Sequence, residues 1–321
     1  MEPPVPVWGL VDDRTGHTGQ VLGVIGKLGL PFVLKRLAFN WKTRLPLTSP
    51  SLTTLNDSHS APIAPPWPKL VITAGRRTIP IARYIKKKSP STIIVYLMWS
   101  PAAREFDLVA VPQHDEVKAA DNIITTIAPL HAVTPETLAA AKEAWLPKFN
   151  QLPRPWVAVT IGGNTKQGKY HAADWRELIT RARDLAPTGT LMVTTSRRTP
   201  KEALDVIAPL LAGGSHILHR WDADKDNPYL GLLGCADAVI ATGDSLSMCT
   251  EACVSGKPVY IFAPEQVIPK KHARLHQSLY AQSLAKPLDA NSTIDWKPAR
   301  LMDDAGLVAA AMKARFPQIR G

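Results

Sequence analysis

The segment Ala238–Phe262 constrains the fold of this chain more than any other. Ala238-Val239-Ile240 is an apolar run suited to a buried strand, and Ala241-Thr242-Gly243-Asp244 is a Gly-bearing turn. Ser245 is a natural N-cap for a helix that ends at Ser255, and Gly256-Lys257-Pro258 leads into a second strand, Val259–Phe262. Strand, Gly turn, Ser-rich helix start, Gly stop and strand make a βαβ unit, which requires a parallel sheet. Helix phase sorts the residues in between. Leu246, Cys249, Thr250 and Cys253 fall at i, i+3, i+4 and i+7 and should face the core. Ser247 and Glu251 lie on the other face, one turn or about 6 Å apart. An anion at the helix start would meet free backbone N–H groups and the positive dipole end. A sugar hydroxyl one turn further on would meet the Glu251 carboxylate. Phosphate followed by ribose is the outline of a nucleoside diphosphate, so Gly243, Asp244, Ser245, Ser247 and Glu251 form the first candidate site. The alternative is an ordinary helix whose Ser residues merely cap it, but capping needs one Ser and no carboxylate.

Strand-like and helix-like runs alternate along the rest of the chain, which places it in the α/β class. Strands are expected at Val5–Val11, Phe32–Ala38, Leu70–Thr73, Ile93–Leu97, Leu108–Val111 and Ile123–Ile127, with helices at Gln20–Leu28, Ile79–Lys87 and Pro135–Pro147. The Pro-, Ser- and Thr-rich stretch from Thr43 to Pro68 reads as a long surface excursion. Phe149-Asn150-Gln151-Leu152-Pro153-Arg154-Pro155 then breaks the pattern, and a new alternating series follows. The expected division is therefore an N-terminal domain over 1–150, a C-terminal domain over 155–300, and a last segment, 301–321, whose helix Asp304–Arg315 packs back on the first domain. Leu70–Thr78 and Ala238–Leu246 share one plan of strand, small residue, Gly and polar helix start. Two Rossmann-like domains facing across a cleft satisfy this repetition, with the Gly-bearing loops at the carboxyl ends of strands, where open α/β sheets bind ligands.

Composition narrows the setting. A hydrophobic fraction of 45% over 321 residues supports two real cores. No apolar run reaches the roughly 18 residues that cross a bilayer, and Met1-Glu2-Pro3-Pro4 has no basic-then-apolar leader character. The reading is a cytoplasmic chain. Its three Cys show no metal-ligand spacing and read as small buried hydrophobes. The net charge of +11 is partly gathered in Arg83–Lys88 at one helix end and Lys270–Arg274 at the start of another. Such clusters fit an anionic membrane surface at its inner face, or a helix end that complements the dipole. Nucleic acid is disfavoured, because no basic stripe carries interleaved aromatics.

Five further loops could carry chemistry. In Asp12–Gln20, Gly16 and Gly19 permit close backbone approach, and His17 is a candidate general base that Asp13 could orient or replace; a capping or packing role for His17 is the alternative. Arg76-Arg77 before a helix suits phosphate or carboxylate recognition, or plain surface ion pairing. His114, in Val111-Pro112-Gln113-His114-Asp115, could line an acceptor side or belong to a structural loop. Gly162-Gly163-Asn164 reads as a phosphate-approach loop without a full dinucleotide or P-loop signature, and Arg197 or Arg198 before Pro200 could neutralise a diphosphate leaving group or be solvent-exposed arginine.

These motifs together resemble those of the mitochondrial-fission "elongated mitochondria" family: Asp13-Arg14-x-Gly16-His17-x-x-Gln20, Gly75-Arg76-Arg77-Thr78, Phe106-Asp107-Leu108-Val109 with His114-Asp115, Ile161-Gly162-Gly163, and Thr242-Gly243-Asp244-Ser245-x-Ser247-Met248 with Glu251. That family is similar to GT-B glycosyltransferases. The resemblance implies a nucleotide-sugar donor held by the second domain, no metal or cofactor, Glu251 on the donor ribose, Ser245 and Ser247 under the diphosphate, and His17 facing an acceptor hydroxyl, lipid-linked or envelope-associated. A GT-B-shaped recruitment protein without transfer chemistry and a nucleotide-sugar epimerase are the alternatives. The segment Tyr96–Arg104 and the stretch 40–68 depart from the family pattern, and both lie in the acceptor-side domain.

Overall fold

The computed structural model describes residues 7–45, 48–222 and 226–319. The chain forms two compact units, Met1–Ala132 with Asp303–Gly321, and Val133–Met302. Val5 and Pro6, the start of the first expected strand, lie outside the described residues.

Unit 1 begins with β1 (Val7–Val11), α1 (Thr15–Leu28) and β2 (Phe32–Arg36), then continues through β3 (Leu70–Thr73), α2 (Ile79–Lys88), β4 (Ile93–Tyr96), β5 (Leu108–Pro112) and β6 (Ile123–Thr126). Its strands lie in the order β2-β1-β3-β4-β5-β6, and every pair is parallel. The short apolar runs explain this arrangement: β1, β3 and β4 are buried on both faces, as parallel strands covered by helices must be. Side chains alternate between the faces. Val7, Val11, Leu70, Ile72 and Val95 enter one core with Val21, Val24 and Ile25 of α1. Trp8, Leu10, Val71, Ile94 and Tyr96 enter the other with Ile81 and Ile85 of α2.

α1 starts at Thr15, five residues before the expected Gln20, so Gly16, His17 and Gly19 are helical rather than part of a loop. The two glycines hide the helix start from a propensity reading. Helix formation there follows from tertiary packing. Gly23 lies so close to the His131 carbonyl that any Cβ would collide with it.

Unit 2 contains α3 (Pro135–Phe149), β7 (Trp156–Ile161), α4 (Ala172–Leu185), β8 (Thr190–Thr195), α5 (Lys201–Leu211), β9 (His216–His219), α6 (Tyr229–Cys235), β10 (Ala238–Thr242), α7 (Leu246–Cys253), β11 (Val259–Phe262), α8 (Lys270–Ala281) and β12 (Lys286–Pro287). Its parallel sheet runs β12-β11-β10-β7-β8-β9. α3 packs on α6: a side chain at Gly231 would collide with the Trp145 ring, and Cys235 Sγ donates to the Lys142 carbonyl at 3.8 Å. The helix over 135–149 and the Phe149–Pro155 break therefore lie inside unit 2, and the division falls between Ala132 and Val133. After unit 2, α9 (Asp304–Arg315) packs on α1, placing Val308, Ala309 and Met312 in the unit 1 core.

Both sheets reverse direction at one point. In unit 1 the chain places β2 on one side of β1 and β3 on the other. In unit 2 it places β8 on one side of β7 and β10 on the other. Crevices at the carboxyl ends of strands form at such reversals.

Candidate functional site

The unit 2 reversal brings three loops together. Gly162-Gly163-Asn164 follows β7, Ser196–Thr199 follows β8, and Gly243-Asp244-Ser245 follows β10. Asp244 organises them. Its carboxylate is fully buried and accepts from the Gly163 amide at 2.8 Å, the Tyr170 hydroxyl at 3.1 Å and the Thr242 hydroxyl at 2.7 Å. Arg198 reaches Oδ2 at 2.9 Å. A Cβ on Gly162 would collide with this same carboxylate, and one on Gly163 with the Arg198 carbonyl. The Thr242 hydroxyl also accepts from the Gly162 amide at 2.7 Å, and Ser196 Oγ donates to the Gly162 carbonyl at 3.0 Å. Close backbone approach explains the paired glycines; here the approach is to the protein's own groups. With its oxygens so engaged, Asp244 supports the crevice from below instead of lining it.

What remains presented is specific. Ser245 caps α7, accepting from the Met248 amide at 3.4 Å. Ser247 is exposed on the first turn, and Arg197 is exposed with no hydrogen bond or ion pair among the described residues. Asn164 accepts from the Tyr170 amide through Oδ1 at 3.0 Å. Glu251 is partly buried and accepts from the Tyr229 hydroxyl at 2.6 Å. Burial dominates and pushes the Glu251 carboxyl up to about 7, with the Tyr229 hydrogen bond opposing part of that rise. On the opposite side of α7, Cys249, Thr250 and Cys253 are buried as helix phase predicts. Beyond Gly243 lies His276 of α8, buried and pushed down to about 4 by desolvation, hence neutral at physiological pH. A Cβ on Gly243 would come within 2.7 Å of that ring.

The unit 1 reversal gathers a second cluster. His17 Nδ1 lies 3.1 Å from both carboxylate oxygens of Asp12, the residue directly after β1. Arg77 donates to Asp12 Oδ2 at 2.7 Å and also pairs with Asp13. The Arg14 amide donates to Asp12 Oδ1 at 3.0 Å. Although burial opposes it, the hydrogen bonds from His17, Arg77 and Arg14 hold the Asp12 carboxyl down to about 2. With Asp12 ionised, Nδ1 is the ring nitrogen that donates to it, and among the described residues no group meets Nε2. That is the orientation a general base needs. Thr73 Oγ1 donates to the Leu10 carbonyl at 3.1 Å and to Thr78 Oγ1 at 2.8 Å, stitching the β1 and β3 ends together.

The expected residues thus separate. His17 and Arg77 meet, but the carboxylate that orients His17 is Asp12; Asp13 is exposed and touches Arg77 instead. The sequence clue to Asp12 was its place directly after the apolar run that ends at Val11. Arg76 is spent on the Thr43 and Leu45 carbonyls, at 2.9 and 3.3 Å. Gly16 is exposed on the first turn of α1. His114 is buried after β5, two strands from β3 and so about 10 Å from that crevice. Tyr229 was also missed: it lies 22 residues from Glu251, with no local signal linking the two.

Two parallel Rossmann-like sheets in one chain are a GT-B-like fold. The structure of a Neisseria meningitidis UDP-GlcNAc 2-epimerase bound to UDP-GlcNAc is similar over 97% of this chain and 92% of that one, with TM-score 0.53 and 12% identity, a likeness of fold. The chain belongs to the mitochondrial fission ELM1 family, whose profile matches residues 15–316. An uncharacterized protein of Rickettsia prowazekii (strain Madrid E) is 28% identical across 96% of this chain and 97% of its own length. The Arabidopsis thaliana mitochondrial fission protein ELM1 is 31% identical over 60% of this chain, and the match spans about half, 51%, of that relative.

Proposed function

We propose that the protein transfers a sugar from a nucleoside-diphosphate donor to a hydroxyl acceptor. The observation that carries this reading is the unit 2 reversal, where a Ser245-capped helix start, the unpaired Arg197 and the Glu251–Tyr229 pair are presented on a floor locked by Asp244. Diphosphate oxygens would take the α7 amides, Ser247 and Arg197, and ribose hydroxyls would take Glu251. The similar epimerase, which holds UDP-GlcNAc, supports the donor class. In unit 1, His17 Nε2 would act as the general base that takes the proton of an acceptor hydroxyl, whose oxygen becomes the nucleophile. Asp12 holds the imidazole and stabilises the imidazolium that results. The nucleoside diphosphate leaves with the bonding electrons, its charge met by Arg197 and the helix start.

The test is thermal unfolding against a panel of nucleoside diphosphates and their sugars. Selective stabilisation that disappears in Glu251→Ala establishes the donor site. With the donor identified, His17→Ala should lose turnover while keeping the donor-induced shift. No shift at saturating ligand would overturn the reading in favour of a recruitment protein.

The Lys86–Lys88 run lends a recruitment reading little support. Lys86 Nζ is held by Asp107 and the Thr92 carbonyl, each within 3.0 Å, and Lys88 lies over the Tyr84 ring. Lys270 and Lys271 open α8, where dipole complementarity does not account for them.

A further inference from the structure

Trp41 is the most exposed large hydrophobic side chain among the described residues, 68% open, and Leu45 is 45% open. Both belong to a short 3-10 turn after β2, with Lys42 and Arg44 between them. The Lys42 and Arg44 side chains are exposed and make no hydrogen bond or ion pair among the described residues. Isolated exposed apolar residues need no explanation. This turn differs because the chain holds it in place. Asn40 Oδ1 accepts from the Lys42 amide at 3.0 Å, while its Nδ2 donates to the Thr53 and Leu55 carbonyls at 2.9 Å each. Arg76 donates to the Thr43 and Leu45 carbonyls. Polar side chains thus fix the backbone of a turn whose apolar side chains face solvent.

The charge along this stretch of the sequence has one sign. From residue 14 to residue 56 the chain carries Arg14, Lys27, Lys35, Arg36, Lys42 and Arg44 and no Asp or Glu. Asp57 is the lone acid between Asp13 and Glu105. A protein partner would bring a patch of both signs, and the turn itself holds no carboxylate to meet its cations. A uniformly anionic surface with an apolar layer beneath matches both features: an indole rests at headgroup depth, and cations meet lipid phosphates.

We propose that the Trp41–Leu45 turn is a docking surface for an anionic lipid bilayer, with Trp41 and Leu45 entering the headgroup layer and Lys42 and Arg44 on its phosphates. The surface goes beyond the transferase reading and stands without it, since vesicle binding and donor binding are read separately. One small apolar anchor with a few cations gives reversible attachment. The turn is also tied to the unit 1 crevice. Phe39, just before it, lies under the Arg77 guanidinium at 5.0 Å, and Arg77 grips Asp12.

The test is flotation of the full chain with phosphatidylcholine vesicles, with and without phosphatidylglycerol. Binding is expected only when phosphatidylglycerol is present. Trp41→Ser should reduce partition about tenfold. Lys42→Ser with Arg44→Ser should reduce it about 25-fold, roughly fivefold per cation. Lys87→Ser should leave it unchanged. In Trp41→Phe, binding should persist while quenching of protein fluorescence by brominated-chain lipid falls. Each variant should unfold at the temperature of the parent, since Trp41 leaves no cavity. Equal binding by parent and both variant proteins, or no binding by the parent, overturns the proposal. So does a change of oligomeric state in Trp41→Ser with vesicle partition intact, which would make the turn a protein interface.

Discussion

The Tyr229 hydroxyl donates to Glu251 Oε2 at 2.6 Å, tying the start of α6 to the second turn of α7. Because burial holds this carboxyl near 7 against an ordinary value of 4.5, the native state keeps a proton that the unfolded chain has lost. Stability from the protonated form is fully present below pH 4.5 and is lost as pH rises through 7. The loss is about 3 kcal/mol at most. Thermal unfolding of Glu251→Gln against the parent between pH 4.5 and 8 should show the parent losing ground as pH rises. Curves that stay parallel would refute it.

Asp12 behaves in the opposite sense. Its carboxyl is held near 2, below the ordinary 3.8, so its contribution is present above pH 4 and lost as pH falls through 2. Asp12→Asn should cost about 2 kcal/mol at neutral pH and flatten the acid limb of the urea-unfolding profile. An acid limb identical to that of the parent would show that the His17 and Arg77 contacts do not favour the ionised form.

Gly75 has φ +92°, and a Cβ there would collide with the His17 ring. Gly75→Ala should destabilise the protein by about 2–3 kcal/mol, from backbone strain and the displaced imidazole together. Part of that cost is steric, so His17→Ala combined with Gly75→Ala should be less destabilised than the two single effects added. Strict additivity in a denaturant double-mutant cycle would count against the contact.

Removing the Asp244 carboxylate leaves the Gly163 amide, the Tyr170 and Thr242 hydroxyls and the Arg198 guanidinium without their acceptor. Asp244→Ala should cost about 3–5 kcal/mol and Asp244→Asn less, because the amide keeps one acceptor oxygen. Chemical denaturation of the two variants side by side checks the order.

The periodic parts of the molecule were legible in the sequence. Leu70–Thr73 and Val259–Phe262 are strands at the residues their apolar runs mark, and Asp304–Arg315 is a helix as expected. Helix phase also put Cys249 and Cys253 inside. What escaped depends on contacts distant in sequence. α1 reaches back over Gly16 and Gly19 because packing outweighs propensity. Asp12 and Asp13 are indistinguishable as letters, and only the turn after β1 decides which faces His17. Asp244 looked like a ligand contact because its motif surrounds a helix start; burial against Gly163 and Tyr170 gives it a supporting task.

The return of α9 to unit 1 has a consequence for synthesis. β1 and α1 leave the ribosome early, yet the layer that covers them includes Val308, Ala309, Met312 and Phe316, made only after all of unit 2. Unit 2 is contiguous and has every residue of its core before that point. The order of completion is therefore the reverse of the order of translation, and until α9 arrives the nascent first unit presents an uncovered apolar face for chaperones to hold.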